Sequence, residues 1–280
     1  MTVLVTGARG RVGRAVLDRL HAAGLPVRAG SAEPGELSVP AGVEPVELVL
    51  GRPETFAAAL RGVRQVFLYP EPAGVDAFVA AARTAGVEQV VLLSSSSVLS
   101  SGAAEDPLGA HNLAVERALL ASGLPCTLLR ADSFASNALG WAGQIRHGLP
   151  VELAYPEAQL AVVHPDDVAD VAFAALTGPE LRGRAVTVTG GESLTLRAQL
   201  GVLAEVLGRE VRVETIGRAE AAEQLGRFMP ADFVESLLSY WASASAGPAA
   251  VGDTTRTLLG RPERTFRQWA TEHAEAFTVN

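Results

Sequence analysis

The sequence predicts an α/β protein built on a doubly wound parallel sheet of the Rossmann type, with a smaller, mainly helical C-terminal lobe. In the first half, short apolar runs alternate with amphipathic runs. The apolar runs are continuous, which is typical of parallel strands that are covered on both faces. A glycine-rich turn joins the first strand to the first helix, and right-handed crossovers then give a doubly wound order.

The elements of the first half follow from hydrophobic periodicity and from the turn residues that interrupt it. The predicted strands cover residues 2–6, 25–30, 44–50, 65–69, 88–94 and 126–131. The predicted helices cover residues 11–23, 53–61, 75–85 and 107–122.

After about residue 133 the alternation is less regular. We predict a last strand over 185–190, and we expect Asp166 to cap the N-terminus of a helix over 167–176. The other predicted helices cover 134–147, 195–207, 218–227, 230–242 and 263–276, and 243–253 has the composition of a linker. We therefore expect residues 1–133 to form a dinucleotide-binding core. Residues 134–280 would form a substrate-binding lobe and return elements to that core.

Composition limits the function further. The formal net charge is -8, which argues against binding nucleic acid by charge alone. No run approaches the roughly 18–20 apolar residues of a membrane span, and the N-terminus enters a strand without a basic leader. The single cysteine, Cys126, excludes a disulfide framework or a zinc cluster, so no metal site is predicted. We expect a cytoplasmic protein with a small-molecule substrate, and the last helices offer enough apolar surface for a homodimer.

The stretch TGARGRVG, residues 6–13, has the spacing of a dinucleotide-binding turn. Gly7 would permit the tight turn, Gly10 the approach of a pyrophosphate, and Gly13 the packing of helix on strand. The alternative is a vestigial loop that binds nothing. The predicted cofactor-binding residues are Thr6, Gly7, Ala8, Arg9, Gly10, Arg11, Val12, Gly13, Ser31, Tyr69, Pro70 and Ser94.

Several stretches resemble the NmrA-like branch of the atypical short-chain dehydrogenases/reductases. They are TGARGRVG, LRGVRQVFLYPEP, VEQVVLLSSSSV, VERALLASGLPCTLLRADSFASN, HPDDVADVAFAAL and LLGRPERTFRQWATEHAEAF. The resemblance implies a Rossmann domain that binds NAD(P) and a small substrate lobe. Members of that family include quinone and flavonoid-type reductases, redox-sensing regulators without turnover, and non-redox enzymes of secondary metabolism.

The choice of nicotinamide cofactor depends on residues after the second strand. An acid there would bind the ribose 2′-hydroxyl of NAD, but the first acid, Glu33, comes late. Ala32 stands where the family's NADPH-dependent members carry an arginine. Arg9 could meet a 2′-phosphate bidentately, so NADP(H) is favoured over NAD(H). Arg28 is a second candidate, although a strand-face role suits it better.

The Tyr-x-x-x-Lys pair of standard short-chain dehydrogenases is absent. Leu108 and Asn112 occupy those positions, and the chain contains no lysine. Quinones and activated enones do not strictly need that proton relay, since the cofactor supplies the hydride. The candidate catalytic residues are His111, Ser95 and Ser96. A helix-surface histidine and a turn of serines are the structural alternatives.

The candidate substrate-binding residues are aromatic or polar side chains of the second half. They are Phe134, Asn137, Trp141, His164 and Phe228, with Met229 and Trp241 as further lid candidates. The structural alternative is plain core, and for His164 a structural role is favoured. We predict an NAD(P)H-dependent reductase of a small aromatic, quinone or polyketide-like substrate. The alternatives are a non-catalytic redox sensor and a non-redox coupling or cyclising enzyme.

Overall fold

The structure, a computed structural model, describes residues 2–279. Eleven strands lie within those residues. In chain order they are Thr2–Val5 (β1), Val27–Ser31 (β2), Glu44–Glu47 (β3), Val63–Leu68 (β4), Gln89–Ser95 (β5), Cys126–Ala131 (β6), Val151–Leu153 (β7), Gln159–Leu160 (β8), Ala185–Val188 (β9), Leu194–Thr195 (β10) and Val213–Thr215 (β11).

Eleven α-helices lie within the described residues, and five short 3-10 segments accompany them. The helices are Arg11–Ala22 (α1), Phe56–Ala59 (α2), Val75–Thr84 (α3), Pro107–Ser122 (α4), Ala142–Arg146 (α5), Pro165–Thr177 (α6), Leu196–Leu207 (α7), Arg218–Leu225 (α8), Ala231–Ala244 (α9), Thr254–Leu259 (α10) and Phe266–Glu272 (α11). The 3-10 segments are Pro34–Glu36, Pro53–Thr55, Ser96–Leu99, Ala135–Trp141 and Ala274–Phe277.

A seven-stranded sheet of order β3-β2-β1-β4-β5-β6-β9 confirms the predicted doubly wound fold. The pairings from β3 through β6 are parallel. The central strands are apolar on both faces, and Val3, Leu4 and Val5 of β1 are fully buried. Continuous burial of this kind is what the uninterrupted apolar runs predict.

The chain divides into two compact units. The first contains residues up to Glu105, together with Gly109–Ala131 and Pro165–Thr187. The second contains Asp106–Leu108, Asp132–His164 and the residues from Val188 onward. A core of the second unit surrounds the buried Trp269, whose ring stacks on Phe266 at 5.5 Å between centroids.

Cys126 begins β6 and is buried in the core of the first unit. Burial raises the pKa of its thiol, and the negative charge of Glu116 raises that pKa further. The thiol is therefore held in its protonated, weakly nucleophilic form. This burial confirms that Cys126 is a small core residue.

The second half departs from the prediction in several places. The helix predicted over 134–147 is a 3-10 segment followed by the short α5, because Ser, Asn and Gly in ASNALGW are weak helix formers. The helix over 263–276 is likewise divided, into α11 and a 3-10 segment. The strands β7, β10 and β11 were not predicted, because two or three residues give no readable periodicity. Helix α10, which follows the predicted linker, was also missed.

Helix α6 begins earlier than predicted. Its first residue is Pro165, which suits the first helical position, so Asp166 lies inside the first turn and does not cap the helix. The Asp166 carboxylate instead accepts a hydrogen bond from Arg19 at 2.9 Å. In the first half, the helix predicted over 53–61 is only the 3-10 turn Pro53–Thr55 and the single turn α2.

Candidate cofactor and substrate sites

The glycine loop between β1 and α1 is built so tightly that two of its positions require glycine. Gly7 has a φ of +63°, and a Cβ there would lie 3.0 Å from the Tyr69 Cβ. A Cβ on Gly13 would overlap the Gly7 carbonyl oxygen and lie 2.8 Å from its carbonyl carbon. The Gly10 N–H donates to the Gly7 carbonyl oxygen at 2.8 Å and closes the turn. The loop is a cradle that any larger side chain would fill.

This cradle lies at the N-terminus of α1, whose first N–H groups have no partner within the helix. The first turn, which begins at Arg11, contains no acidic residue. The helix dipole therefore gives the loop a partial positive charge suited to an anion. A pyrophosphate of NAD(P) fits this arrangement of bare backbone and positive helix end.

The predicted cofactor residues around the loop come together at the carboxyl edge of the sheet. Thr6, Ala8 and Val12 are buried supports, and the Thr6 hydroxyl accepts the Tyr69 N–H at 2.7 Å. Arg11 is exposed, and Tyr69 and Pro70 follow the end of β4. Ser31 ends β2, and its hydroxyl accepts the Glu33 N–H at 3.1 Å.

Arg9 does not stand alone in the loop. Its guanidinium donates to the Glu33 carboxylate at 3.0 Å, to the Glu33 carbonyl at 3.1 Å and to the Glu36 carboxylate at 3.4 Å. All three side chains are solvent-exposed, so these ion pairs are screened by water and contribute little to stability. Arg28, the second candidate, donates to Glu44 and to carbonyls at the end of α2.

Ser94 occupies the end of β5 but points into the protein. Its hydroxyl is buried and donates to the Glu116 carboxylate at 2.6 Å. Glu116, only 1% exposed, also accepts two bonds from Arg130, at 3.0 and 2.7 Å. The hydrogen bond to Glu116 raises the pKa of Arg130 above its ordinary value. Ser94 therefore forms part of a buried ion-pair network between β5, α4 and β6.

The candidate catalytic residues lie close to the predicted cofactor edge. The Ser95 hydroxyl accepts the Ser97 N–H at 3.2 Å, and Ser96 opens the 3-10 segment that follows β5. His111, on α4, has its Nε2 atom 3.2 Å from the Pro70 carbonyl oxygen. As that oxygen only accepts, Nε2 carries the proton in this contact. Leu108 and Asn112 lie on the same helix, in place of a Tyr-Lys pair.

The second unit contains a cavity of about 620 Å³ with a mostly apolar wall. Four of the predicted substrate residues, and both additional lid candidates, line it. They are Phe134, Asn137, Trp141 and Phe228, with Met229 and Trp241. Phe228 is 86% exposed and lies where the cavity meets solvent. This volume accommodates a small organic substrate.

Five polar residues of the described cavity wall were not predicted. They are Ser133, Gln144, Glu152, Gln199 and Gln224. The Gln224 amide donates to the Glu152 carboxylate at 2.7 Å. Gln199 could have been recognised, because it interrupts the apolar face that Leu196, Leu200 and Leu203 form on α7.

His164, the remaining predicted substrate residue, lies elsewhere. It is 2% exposed, and its Nε2 atom lies 3.0 Å from the Glu272 carboxylate. Within residues 2–279 it is not part of the cavity wall. Its surroundings support the structural alternative.

Asp132 follows β6 and precedes the first residue of the cavity wall, Ser133. Burial raises the pKa of Asp132, although hydrogen bonds from the Ser133 N–H and the Tyr240 hydroxyl oppose that shift. The Ser133 N–H lies 2.6 Å from its carboxylate. Burial also raises the pKa of Tyr240, and the Asp132 charge adds to it.

Comparison with known proteins agrees with this geometry. A model of the NAD(P)H-binding family matches residues 7–179. The (4-alkanoyl-5-oxo-2,5-dihydrofuran-3-yl)methyl phosphate reductase of Streptomyces griseus is 42% identical and covers 98% of this chain and 99% of its own. An NAD(P)H azoreductase of Xenophilus azovorans is 32% identical, with coverage of 98% and 99%.

Solved structures share the fold. The quinone oxidoreductase QOR2 of Escherichia coli, solved with NADPH, superimposes with a TM-score of 0.83 at 21% identity and covers 97% of this chain and 99% of its own. A mutant of NmrA gives a TM-score of 0.78 at 19% identity, with coverage of 99% and 96%.

A Rossmann sheet with a glycine cradle, together with full-length similarity to reductases, defines a nicotinamide-dependent oxidoreductase. The chain belongs to the NAD(P)H-binding family, and it shares the fold of NmrA. Within residues 2–279, the helices are too short or too polar to cross a bilayer.

Proposed function

We propose that this reductase prefers NADPH and transfers hydride to an electron-poor double bond of a small quinone-like, aromatic or polyketide-like substrate. The observation that carries this proposal is the cavity of about 620 Å³, whose mostly apolar wall includes the aromatic side chains of Phe134, Trp141, Phe228 and Trp241. Such a wall suits a flat conjugated molecule. The first unit would hold the cofactor, and the second unit the substrate.

In this proposal, the glycine loop and Arg9 bind the cofactor, and aromatic side chains of the cavity bind the substrate. The backbone of the glycine loop binds the pyrophosphate, and Arg9 binds the 2′-phosphate. When bound, the reduced nicotinamide supplies the hydride, that is, two electrons with one hydrogen nucleus. Trp141, Phe134 and Trp241 orient the acceptor and exclude water.

The absence of Tyr-x-x-x-Lys favours acceptors that need no strong acid. A quinone or an unsaturated carbonyl compound that accepts a hydride at carbon places the negative charge on oxygen, where conjugation stabilises it. The resulting enolate or hydroquinone anion then takes a proton from water or a weak donor. His111, Ser95 and Ser96 are the donors that we propose for this step.

NADPH preference is tested by calorimetric titration with NADPH, NADP+, NADH and NAD+. Arg9→Ala should weaken NADPH binding by about tenfold, because one charge-assisted phosphate contact is lost. NADH binding should change by less than about threefold. Arg64→Ala is the matched control, since Arg64 is also exposed and pairs with a single carboxylate, Glu88. Equal losses for NADPH and NADH would contradict the assignment of Arg9.

The reductase proposal is tested by oxidation of NADPH in the presence of an acceptor panel. The panel contains 2-methyl-1,4-naphthoquinone, an azo dye and a 4-alkanoyl-5-oxo-2,5-dihydrofuran, the last two chosen from the names of the relatives. We expect turnover with at least one conjugated acceptor. Cofactor binding without turnover on the panel would contradict the proposed substrate class.

A further inference from the structure

The wall of the second-unit cavity contains one polar atom that nothing satisfies. Gln199 is 3% exposed, and its Nε2 atom is buried without a hydrogen-bond acceptor among residues 2–279. Buried amide groups in proteins are nearly always paired, because desolvation without a partner is unfavourable. Gln199 belongs to the wall of a ligand-sized cavity, so its unpaired amide would gain an acceptor by turning toward a ligand bound there.

A second polar group of the cavity wall, the Glu152 carboxylate, is a hydrogen-bond acceptor. Glu152 carries the one ionisable side chain among the described residues of the cavity wall. One of its carboxylate oxygens accepts the Gln224 amide at 2.7 Å. A carboxylate accepts up to four hydrogen bonds, so Glu152 can also accept one from a ligand hydroxyl. Arginine and histidine are absent from this described wall, and the chain has no lysine.

Gln199 and Glu152 together limit the charge and the hydrogen-bonding groups of a molecule that can bind in the cavity. We infer that the cavity takes an uncharged conjugated molecule with a carbonyl oxygen that accepts from Gln199 and a hydroxyl group that donates to Glu152. A phosphate ester would bring a second negative charge toward Glu152 with no cation in the wall to offset it. This inference rests on the proposed function. It separates this chain from the relative whose name includes a methyl phosphate.

Gln199 is tested first by direct binding. Trp141 and Trp241 line the cavity, and the third tryptophan, Trp269, is buried in the core, so quenching of tryptophan fluorescence reports cavity occupancy. The probe is 2-methyl-1,4-naphthoquinone without cofactor. Gln199→Leu keeps the side-chain volume and should raise the probe Kd by about tenfold. Gln65→Leu is the matched control, because Gln65 of β4 is also buried with an unpaired amide atom but is not part of this wall, so that Kd should change by less than about threefold.

Folding is checked in the same samples. Gln199→Leu should unfold at the wild-type temperature or above it, because an unpaired buried amide is replaced by an apolar group of similar size. An unchanged probe Kd in a folded Gln199→Leu variant would overturn the role of Gln199.

Charge selection is tested with a matched pair of substrates. They are a (4-alkanoyl-5-oxo-2,5-dihydrofuran-3-yl)methanol and its phosphate ester. The wild type should reduce the alcohol with a kcat/KM at least about tenfold higher, and Glu152→Gln should narrow that ratio to about threefold or less. A wild-type preference for the phosphate ester would overturn the inference and leave the proposed reductase function standing. If Gln199→Leu loses probe binding but the wild type turns over neither substrate, the role of Gln199 in the cavity stands and the proposed reductase function is overturned.

Discussion

At the scale of single residues, the space at Gly13 decides the shape of the glycine loop. Its backbone touches the Gly7 carbonyl so closely that even one methyl group has no room. The carbonyl cannot retreat freely, because it also accepts the Gly10 N–H. Because glycine has no Cβ, Gly13 allows both the tight turn and the close start of α1.

Gly13→Ala should therefore displace the loop. We expect NADPH affinity to fall by about tenfold or more, because the backbone N–H groups move away from the pyrophosphate. Calorimetric titration measures this effect. Gly201→Ala, in α7, is the control: its Cβ meets nothing within 4 Å, so it should leave binding unchanged and stabilise the helix. NADPH binding by Gly13→Ala at wild-type strength would show that the loop is not the pyrophosphate site.

Some residues of the candidate sites can be predicted from the sequence, and others cannot. The spacing of Gly7, Gly10 and Gly13 is readable because backbone geometry demands a particular residue at each position. The pairing of Arg9 with Glu33 is not readable, because it depends on how two loops meet. Gln199 interrupts an apolar helix face, and that pattern is readable, but the cavity beside it is not, because the cavity depends on how α7 packs.

At the scale of elements, a buried ion pair joins β5, α4 and β6. Glu116 of α4 is almost fully enclosed, and it accepts hydrogen bonds from Ser94 of β5 and Arg130 of β6. A buried carboxylate is tolerated only while its partners remain. The helix that carries His111 is thereby fixed to the two strands beside it.

Arg130→Leu should be strongly destabilising. It leaves Glu116 buried and unpaired, which typically costs about 3–5 kcal/mol of unfolding free energy. Urea denaturation measures the loss. Arg64→Leu, at an exposed pair with Glu88, should change that free energy by less than about 1 kcal/mol. The buried-pair interpretation fails if both variants unfold at the same urea concentration.

Asp132 gives the junction after β6 a dependence on pH. Its pKa is raised in the folded chain, so the folded state keeps a proton that the unfolded state has already released. Stability consequently falls as pH rises from the unfolded pKa through the folded pKa, and it stays lower above that interval.

Asp132→Asn should remove this pH-dependent loss of stability, because a neutral amide has no charge to bury. We expect the unfolding free energy of the variant to exceed that of the wild type at neutral pH and to approach it in acid. The gain is roughly 1.4 kcal/mol for each unit of pKa difference. Asp232→Asn is the control, since the exposed Asp232 also accepts the N–H of the next residue. Parallel pH profiles for wild type and Asp132→Asn would rule out a burial effect.

Element prediction succeeded where burial is continuous and failed where elements are short. The strands of the large sheet are long apolar runs, so periodicity and turn residues locate them. The pairings β7 with β11 and β8 with β10 involve two or three residues each, and they join segments far apart in the chain. Only tertiary packing specifies such pairs.

At the scale of the whole molecule, the chain does not divide at one point. Residues Pro165–Thr187 belong to the first unit although they follow a segment of the second. Composition shows no marker for this return, because α6 is an ordinary apolar helix within an apolar half of the chain. The assignment of cofactor to one unit and substrate to the other stays a prediction.

The burial of Cys126 has a practical consequence for the whole molecule. The chain has one thiol, and it is covered and protonated in the folded state. A disulfide reagent such as Ellman's should therefore react only when the sheet opens at β6. We expect slow single-exponential labelling in buffer, immediate labelling of one thiol in urea, and slower labelling in saturating NADPH.

Rapid release of one thiol equivalent in buffer would show instead that β6 is accessible without opening. If labelling is slow, the labelling rate of Cys126 reports the opening of the sheet. The rate of the colour change from the reagent would measure how often the native sheet opens at β6, and its decrease with NADPH would measure how strongly the cofactor stabilises the closed sheet.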